Sequence, residues 1–245
     1  MSSLLIPVAP FSTTKSRLRD CLSGVQLKDI TIAMFKDLTT TLSKVHCFNN
    51  ILVYCNDTII LELAEENGFT GIKEEISDTP KSFDDIISEF NNIAINKFNS
   101  KQTTITFLDL ILITAENFYE INKLIQNHQL VVCPAIHSAG ISILSRNPPD
   151  IIASFFSDPE IPSLVALLNN ASKKGINKVY IYDSFRAGFD IDLKQDLILA
   201  YEYLKIFNLQ STHIFKFLKD NLKFSFKKKN ANDNRNFEML ERDRS

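Results

Sequence analysis

Glycine is scarce in this sequence, with six in 245 residues and none before Gly24. No pair of glycines has the Gly-x-x-x-x-Gly-Lys or Gly-x-Gly-x-x-Gly spacing, so both a P-loop and a dinucleotide-binding turn are excluded. Tryptophan is absent, and no apolar run approaches the length of a membrane span. The first ten residues, MSSLLIPVAP, have no basic segment and too short an apolar run for a secretory signal. The four cysteines (Cys21, Cys47, Cys55 and Cys133) show no Cys-x-x-Cys spacing, which argues against zinc and against a disulfide framework. Free thiols in a reducing compartment are the expectation, and with them a cytoplasmic location. A formal net charge of -2 gives no global pull toward nucleic acid or an anionic membrane.

What is present is an alternation of short β-branched runs with longer stretches of helical period, the pattern of an α/β fold with a mostly parallel sheet. Strands are predicted over residues 4–8, 51–55, 104–108, 130–133, 178–182 and 188–192. Helices are predicted over 27–45, 58–67, 82–98, 116–127, 162–174 and 193–207. Asp150 is placed to cap a short helix after Pro148-Pro149, and a further helix reaches Leu218. Ser82 and Asp85 sit at capping-box spacing. One domain is expected over residues 1–219. Residues 220–245 are polar and charge-rich and read as a disordered tail with a basic run at Lys227-Lys228-Lys229.

Three segments put polar groups where the strands of an α/β sheet end and ligands collect. The first, Pro10-Phe11-Ser12-Thr13-Thr14-Lys15-Ser16-Arg17-Leu18, sets hydroxyls and two cations ahead of a helical region, an arrangement suited to phosphate oxygens. Alone this signal is weak, because basic residues near helix starts are common and a solvated basic loop is the other reading. The second is Asp109, embedded in an apolar run, where a carboxylate needs a partner. That partner is either a divalent cation or a backbone hydrogen bond. The third is Phe189-Asp190-Ile191-Asp192. On a strand the two aspartates share a face, and paired carboxylates suit Mg2+ with its taste for a few carboxylates plus substrate phosphates. Capping of the following helix is the other reading.

Taken in order, these segments resemble the 2-phospho-L-lactate guanylyltransferases of deazaflavin coenzyme F-420 biosynthesis, relatives of the molybdenum-cofactor nucleotidyltransferases. The residues that carry the likeness are Ile6-Pro7-Val8-Ala9-Pro10 with Lys15-Ser16-Arg17-Leu18, then Leu108-Asp109-Leu110, Gly140 to Pro149, Ser163, and Phe189-Asp190-Ile191-Asp192 with Asp196-Leu197. The resemblance implies a mixed, mostly parallel sheet flanked by helices in a glycosyltransferase-A-like nucleotidyltransferase fold. It implies Mg2+-dependent transfer of GMP from GTP to 2-phospho-L-lactate or a related phospho-acid such as phosphoenolpyruvate or 3-phosphoglycerate. Lys15 and Arg17 then take the catalytic, phosphate-contacting role. Ser12, Lys15, Arg17, Gly140, Ser142 and Ser163 bind the nucleotide, and Asp109, Asp190 and Asp192 hold the metal. The chain departs from the family pattern at Ala9, at Ala135-Ile136, at Ile141-Ser142 and at Ser82-Phe83-Asp84. These changes leave open a relative that binds a nucleotide or a protein partner without turnover. The oligomeric state, a homodimer included, is also left open.

Overall fold

The structure, a computed structural model, describes residues 1–75, 80–226 and 237–241. In chain order its elements are β1 (Ser2–Val8), α1 (Gly24–Leu42), β2 (Asn50–Cys55), α2 (Thr58–Glu66), β3 (Thr70–Lys73), α3 (Phe83–Phe98), β4 (Gln102–Thr106) and α4 (Ala115–Ile125). There follow β5 (Leu130–Pro134), β6 (Ile141–Arg146), α5 (Ser163–Lys173), β7 (Val179–Ile181), α6 (Phe185–Gly188), α7 (Lys194–Ile206), α8 (His213–Asn221), β8 (Leu222–Phe226) and β9 (Phe237–Glu241).

Seven strands form one sheet in the order β3-β2-β1-β4-β6-β5-β7. All pairings are parallel except those of β6, which runs antiparallel to both β4 and β5. Period-two patterning decides which helix each side chain meets. Leu4, Ile6 and Val8 of β1 face the larger core, shared with Ile30, Met34 and Phe35 of α1 and with residues of α2, α4, α7 and α8. Leu5 points the other way, into a second core closed by α3 and α5. The sheet is therefore covered on both faces, which leaves its strand ends as the place for a site. No helix among the described residues is long and apolar enough to cross a membrane.

Local chemistry accounts for the helix starts. Ser23 caps α1 and exchanges hydrogen bonds with Gln26. Ser82 and Asp85 do the same for α3, so an aspartate performs the return bond that glutamate or glutamine usually makes.

Four expectations need correction. No strand forms over residues 188–192: α6 ends at Gly188, and the segment beyond it is extended without a strand partner. Its alternation is nevertheless real, since Phe189 and Ile191 are fully buried in the core. Residues 149–152 form a turn and bend, not a helix capped by Asp150. β3 was not foreseen, because Thr70-Gly71-Ile72-Lys73 is too short and mixed to signal a strand without its neighbour β2. The domain boundary predicted at residue 219 also moves. Helix α8 runs on to Asn221, Leu222 is buried, and β8 pairs antiparallel with β9. Lys227, Lys228 and Lys229 lie outside the described residues.

Candidate active site

Because β1 and β4 are parallel neighbours, the loops that leave them emerge side by side. After β1 the chain turns tightly, with the Thr13 and Thr14 amides donating to the Pro10 carbonyl at 2.9 and 2.8 Å. Thr14 and Leu18 are buried and anchor the loop at both ends. Between them Lys15 adopts a left-handed backbone, φ 47°, just ahead of a 3-10 turn over Ser16–Leu18. That conformation costs a non-glycine residue of the order of 1 kcal/mol, so the surroundings must over-determine it.

They do so through the side chain. The Lys15 ammonium donates to Asp109 Oδ2 at 2.5 Å, to the Ile191 carbonyl at 2.6 Å and to Asp192 Oδ1 at 3.1 Å. Burial works against this charge, but Asp109 and Asp192 outweigh it and hold the ammonium above its ordinary pKa. Arg17 Nη1 reaches Asp192 Oδ2 at 3.2 Å from a largely exposed position. On the other side, Asp109 Oδ1 is buried with no hydrogen-bond donor. Asp190 completes the group. Burial first, then the charges of Asp109 and Asp192, push its carboxyl up to about 7.

The cluster stands between two chambers of a cleft. One, about 530 Å³, is lined by Ala9, Thr14, Lys15, Ser16, Arg17 and Asp192 among others. The second, about 420 Å³, is lined by Ser138, Gly140, Ser142, Ser163 and Asp190 together with Phe156. Arg17, Phe83, Phe107, Asp109 and Asp192 belong to both and form the partition. The five charged residues singled out in the sequence thus converge. The residues assigned to the nucleotide do not all lie together: Lys15 and Arg17 face the first chamber, while Gly140, Ser142 and Ser163 line the second. Ser12 lines neither, and its carbonyl accepts from the Arg19 guanidinium. The Ser142 hydroxyl donates to the Cys133 carbonyl at 3.1 Å, which commits its proton to the sheet.

Three features escaped the sequence reading. Asp196, only 3% exposed, accepts from the Asp192 and Leu193 amides at 2.8 and 2.6 Å and pairs with His137 Nδ1 at 2.8 Å. It therefore ties the 189–193 segment to the turn between β5 and β6. Its spacing, three residues past Leu193 at a helix start, was the available signal. The aromatic trio Phe83, Phe107 and Phe156 has ring centroids 5.5–6.0 Å apart. Asp84 sets this wall by accepting from the Ser154 hydroxyl and from the Phe156 and Ser157 amides, both at 2.8 Å. These bonds also hold Phe155 in a left-handed conformation, φ 59°. Nothing in the local sequence links Asp84 with residues seventy positions away.

The raised pKa of Asp190 makes a first prediction. Between the ordinary carboxylate range and about 7, the folded protein keeps a proton that the unfolded chain has released. In metal-free buffer the native state is therefore favoured at the acid end, and that advantage is lost as pH rises through 7. Asp190→Asn is expected to flatten this fall in melting temperature between pH 5 and 8 by removing the group responsible, relative to the unsubstituted protein. Parallel melting curves of the two proteins across that window would contradict the assignment.

Solved structures with this topology include a protein of Desulfovibrio desulfuricans G20 named for nucleotide-diphospho-sugar transfer. It aligns with a TM-score of 0.71 at 13% identity over 89% of this chain and 94% of its own. A cytidylyltransferase of Leptospira borgpetersenii aligns with a TM-score of 0.54 at 14% identity, covering 89% and 92%. The fold is theirs, and at its strand ends the chain sets cations against carboxylates. A family model described as guanylyl transferase CofC-like matches residues 2–240, and the chain belongs to that family. Among curated relatives, the 2-phospho-L-lactate guanylyltransferase of Methanocaldococcus jannaschii is 29% identical over 79% of this chain and 80% of its own length. That of Methanothermobacter thermautotrophicus is 24% identical over 94% of both.

Proposed function

We propose that this enzyme transfers GMP from GTP to 2-phospho-L-lactate or a closely related phospho-acid, with release of pyrophosphate and with Mg2+ as cofactor. The observation that carries the reading is the convergence of Lys15, Arg17, Asp109, Asp190 and Asp192 at the partition between two chambers, with Lys15 on the first side and Asp190 on the second, where two phosphate-bearing substrates would meet. The first chamber, beside both cations, takes the triphosphate. The second takes the acceptor.

The donor set fits a divalent ion. Asp109 Oδ1 is buried and lacks a donor, and the mutual repulsion felt by Asp190 is relieved by an added cation. Among the described residues no three ligand side chains are already gathered as a metal cage. Mg2+ commonly takes only one or two carboxylates and fills its remaining positions with substrate phosphates and water. Asp109 and Asp190, with Asp192, would hold it here, and when bound it would neutralise charge on the phosphates. The rest is positioning. A phosphate oxygen of the acceptor attacks the α-phosphorus of GTP and the bond to pyrophosphate breaks. Lys15 and Arg17 offset the charge that builds on the leaving group. The partition residues Phe83 and Phe107 exclude water from the meeting point, which protects GTP from hydrolysis. Ala9, where the family pattern has lysine, removes one cation from the first chamber, so Lys15 and Arg17 carry more of this task.

Pyrophosphate release measured with each nucleoside triphosphate against 2-phospho-L-lactate, phosphoenolpyruvate and 3-phosphoglycerate, with Mg2+, tests the proposal. Turnover is expected with GTP and at least one of the three. GTP binding with no turnover on any acceptor would favour a non-catalytic relative instead. Arg17→Ala is expected to weaken GTP binding by about 1–3 kcal/mol, the range for charge-assisted hydrogen bonds. Its melting temperature should stay near that of the parent, because the side chain is 69% exposed. Calorimetric titration with unchanged affinity would return this arginine to the solvated loop.

A further inference from the structure

The ammonium of Lys15 lies where a bound cation would lie. It touches Asp109 Oδ2 at 2.5 Å and Asp192 Oδ1 at 3.1 Å, and the Ile191 carbonyl at 2.6 Å gives it a third oxygen ligand. Two carboxylates and a carbonyl around one positive centre, with the lysine side chain only 10% exposed, is the environment of a cation site filled from within the chain. Asp109 turns its other oxygen away, buried and without a donor. A metal ion that took the inner oxygens of Asp109 and Asp192, at the roughly 2.1 Å typical of Mg2+, would enter the space the ammonium fills. Two like charges cannot share it. We propose that Lys15 is an exchangeable stand-in for the metal, holding the carboxylates in place while the site is empty of substrate and leaving them when a divalent cation arrives.

The backbone supports the exchange. Lys15 is held left-handed at φ 47° within a short loop, and its three oxygen partners lie on two other segments of chain. Once those bonds go, the side chain no longer offsets the strain at this residue, and only the backbone bond from the Leu18 amide to its carbonyl remains, so the loop can re-orient the ammonium. The neighbouring first chamber is where the freed charge goes, because Lys15 lines it. The competition for the carboxylates stands on geometry alone. Only the destination of the freed ammonium, the triphosphate, rests on the proposed guanylyl transfer. Metal entry and the arrival of a phosphate-binding cation thereby become one event, which couples metal and nucleotide affinity.

The experiment needs neither nucleotide nor turnover. Mg2+ alone is titrated into the protein and into Lys15→Met, which keeps the side-chain bulk without the charge. The Lys15 ammonium is followed by nitrogen-15 NMR and assigned by its disappearance in Lys15→Arg. In metal-free protein this resonance should be protected from solvent exchange. The expected result is loss of that protection as Mg2+ binds, with Lys15→Met binding the ion about ten-fold tighter or more, since a competing positive charge has been removed. Binding by Lys15→Met but not by the parent supports the exchange equally. Saturation of the parent with the protected resonance retained would overturn it, as would failure of both proteins to bind. If Lys15→Met does not fold, the resonance of the parent still decides: lost on saturation it supports the proposal, while retention or no binding at all overturns it. An active enzyme with a retained resonance would sink this proposal and leave guanylyl transfer standing. A lost resonance with no turnover on any substrate would do the reverse.

Discussion

Asp109→Asn is expected to lower the rate of pyrophosphate release by on the order of 10²–10³-fold, the effect of losing one electrostatic group aimed at developing charge. The side chain stands three residues beyond β4, at the centre of the partition between the chambers. One oxygen holds the Lys15 ammonium and the other is buried without a donor. The amide keeps the shape but loses the charge, so it neither balances Lys15 nor attracts a divalent ion. Stability should fall as well, by up to about 3 kcal/mol, the lower end for breaking a buried ion pair. The ammonium retains Ile191 and Asp192 as partners, which is why the native circular dichroism spectrum should persist at room temperature. Turnover within a few-fold of the parent would remove Asp109 from the reaction and leave it a structural partner of Lys15.

Asp196→Ala is expected to combine a large loss of stability with a large loss of turnover, though Asp196 lines neither chamber. Its carboxylate is 3% exposed and satisfies the amides of Asp192 and Leu193. Truncation leaves both amides without their acceptor and frees the His137 ring. At about 1–3 kcal/mol for each unsatisfied buried group, the cost is a large fraction of a domain's net stability. The surviving folded molecules then carry Asp192 on a loosened segment, away from Lys15 and Arg17. Asp196→Asn should be milder, because an amide oxygen still accepts from both backbone groups. Thermal melts and steady-state rates measured together distinguish this from a purely structural role. If Asp196→Ala melts early but turns over normally per folded molecule, the tether to Asp192 has no catalytic consequence.

The sequence carried the fold wherever periodicity and capping chemistry agree. Ile30, Met34 and Phe35 mark the buried face of α1, and the Ser82–Asp85 exchange marks the start of α3 before any coordinates are known. It failed where tertiary context decides. The Phe189 to Asp192 segment alternates like a strand because the core beneath it takes Phe189 and Ile191, but the sheet ends at β7 and offers it no partner. The charged half of the site was legible because cations and carboxylates at strand ends are few and their burial is costly. The exchange of hydrogen bonds among them was not. That Lys15 sits on Asp109 depends on two loops 94 residues apart. The aromatic wall was hidden for the same reason: Phe83, Phe107 and Phe156 come from three separate segments, and Asp84 ties the first to the last.

That wall has a consequence for descent. The rings that shape the second chamber and the charges on the partition are carried largely by different residues, and each set has its own tether, Asp84 for one and Asp196 for the other. At Phe156, which lines the second chamber and not the first, a single nucleotide change in the codon yields leucine and enlarges that chamber without touching Lys15, Asp109 or Asp192. A lineage can therefore drift from one acceptor to another through intermediates that all retain the chemistry. Related genes that diverged in this way would differ at position 156 while keeping their cations and carboxylates.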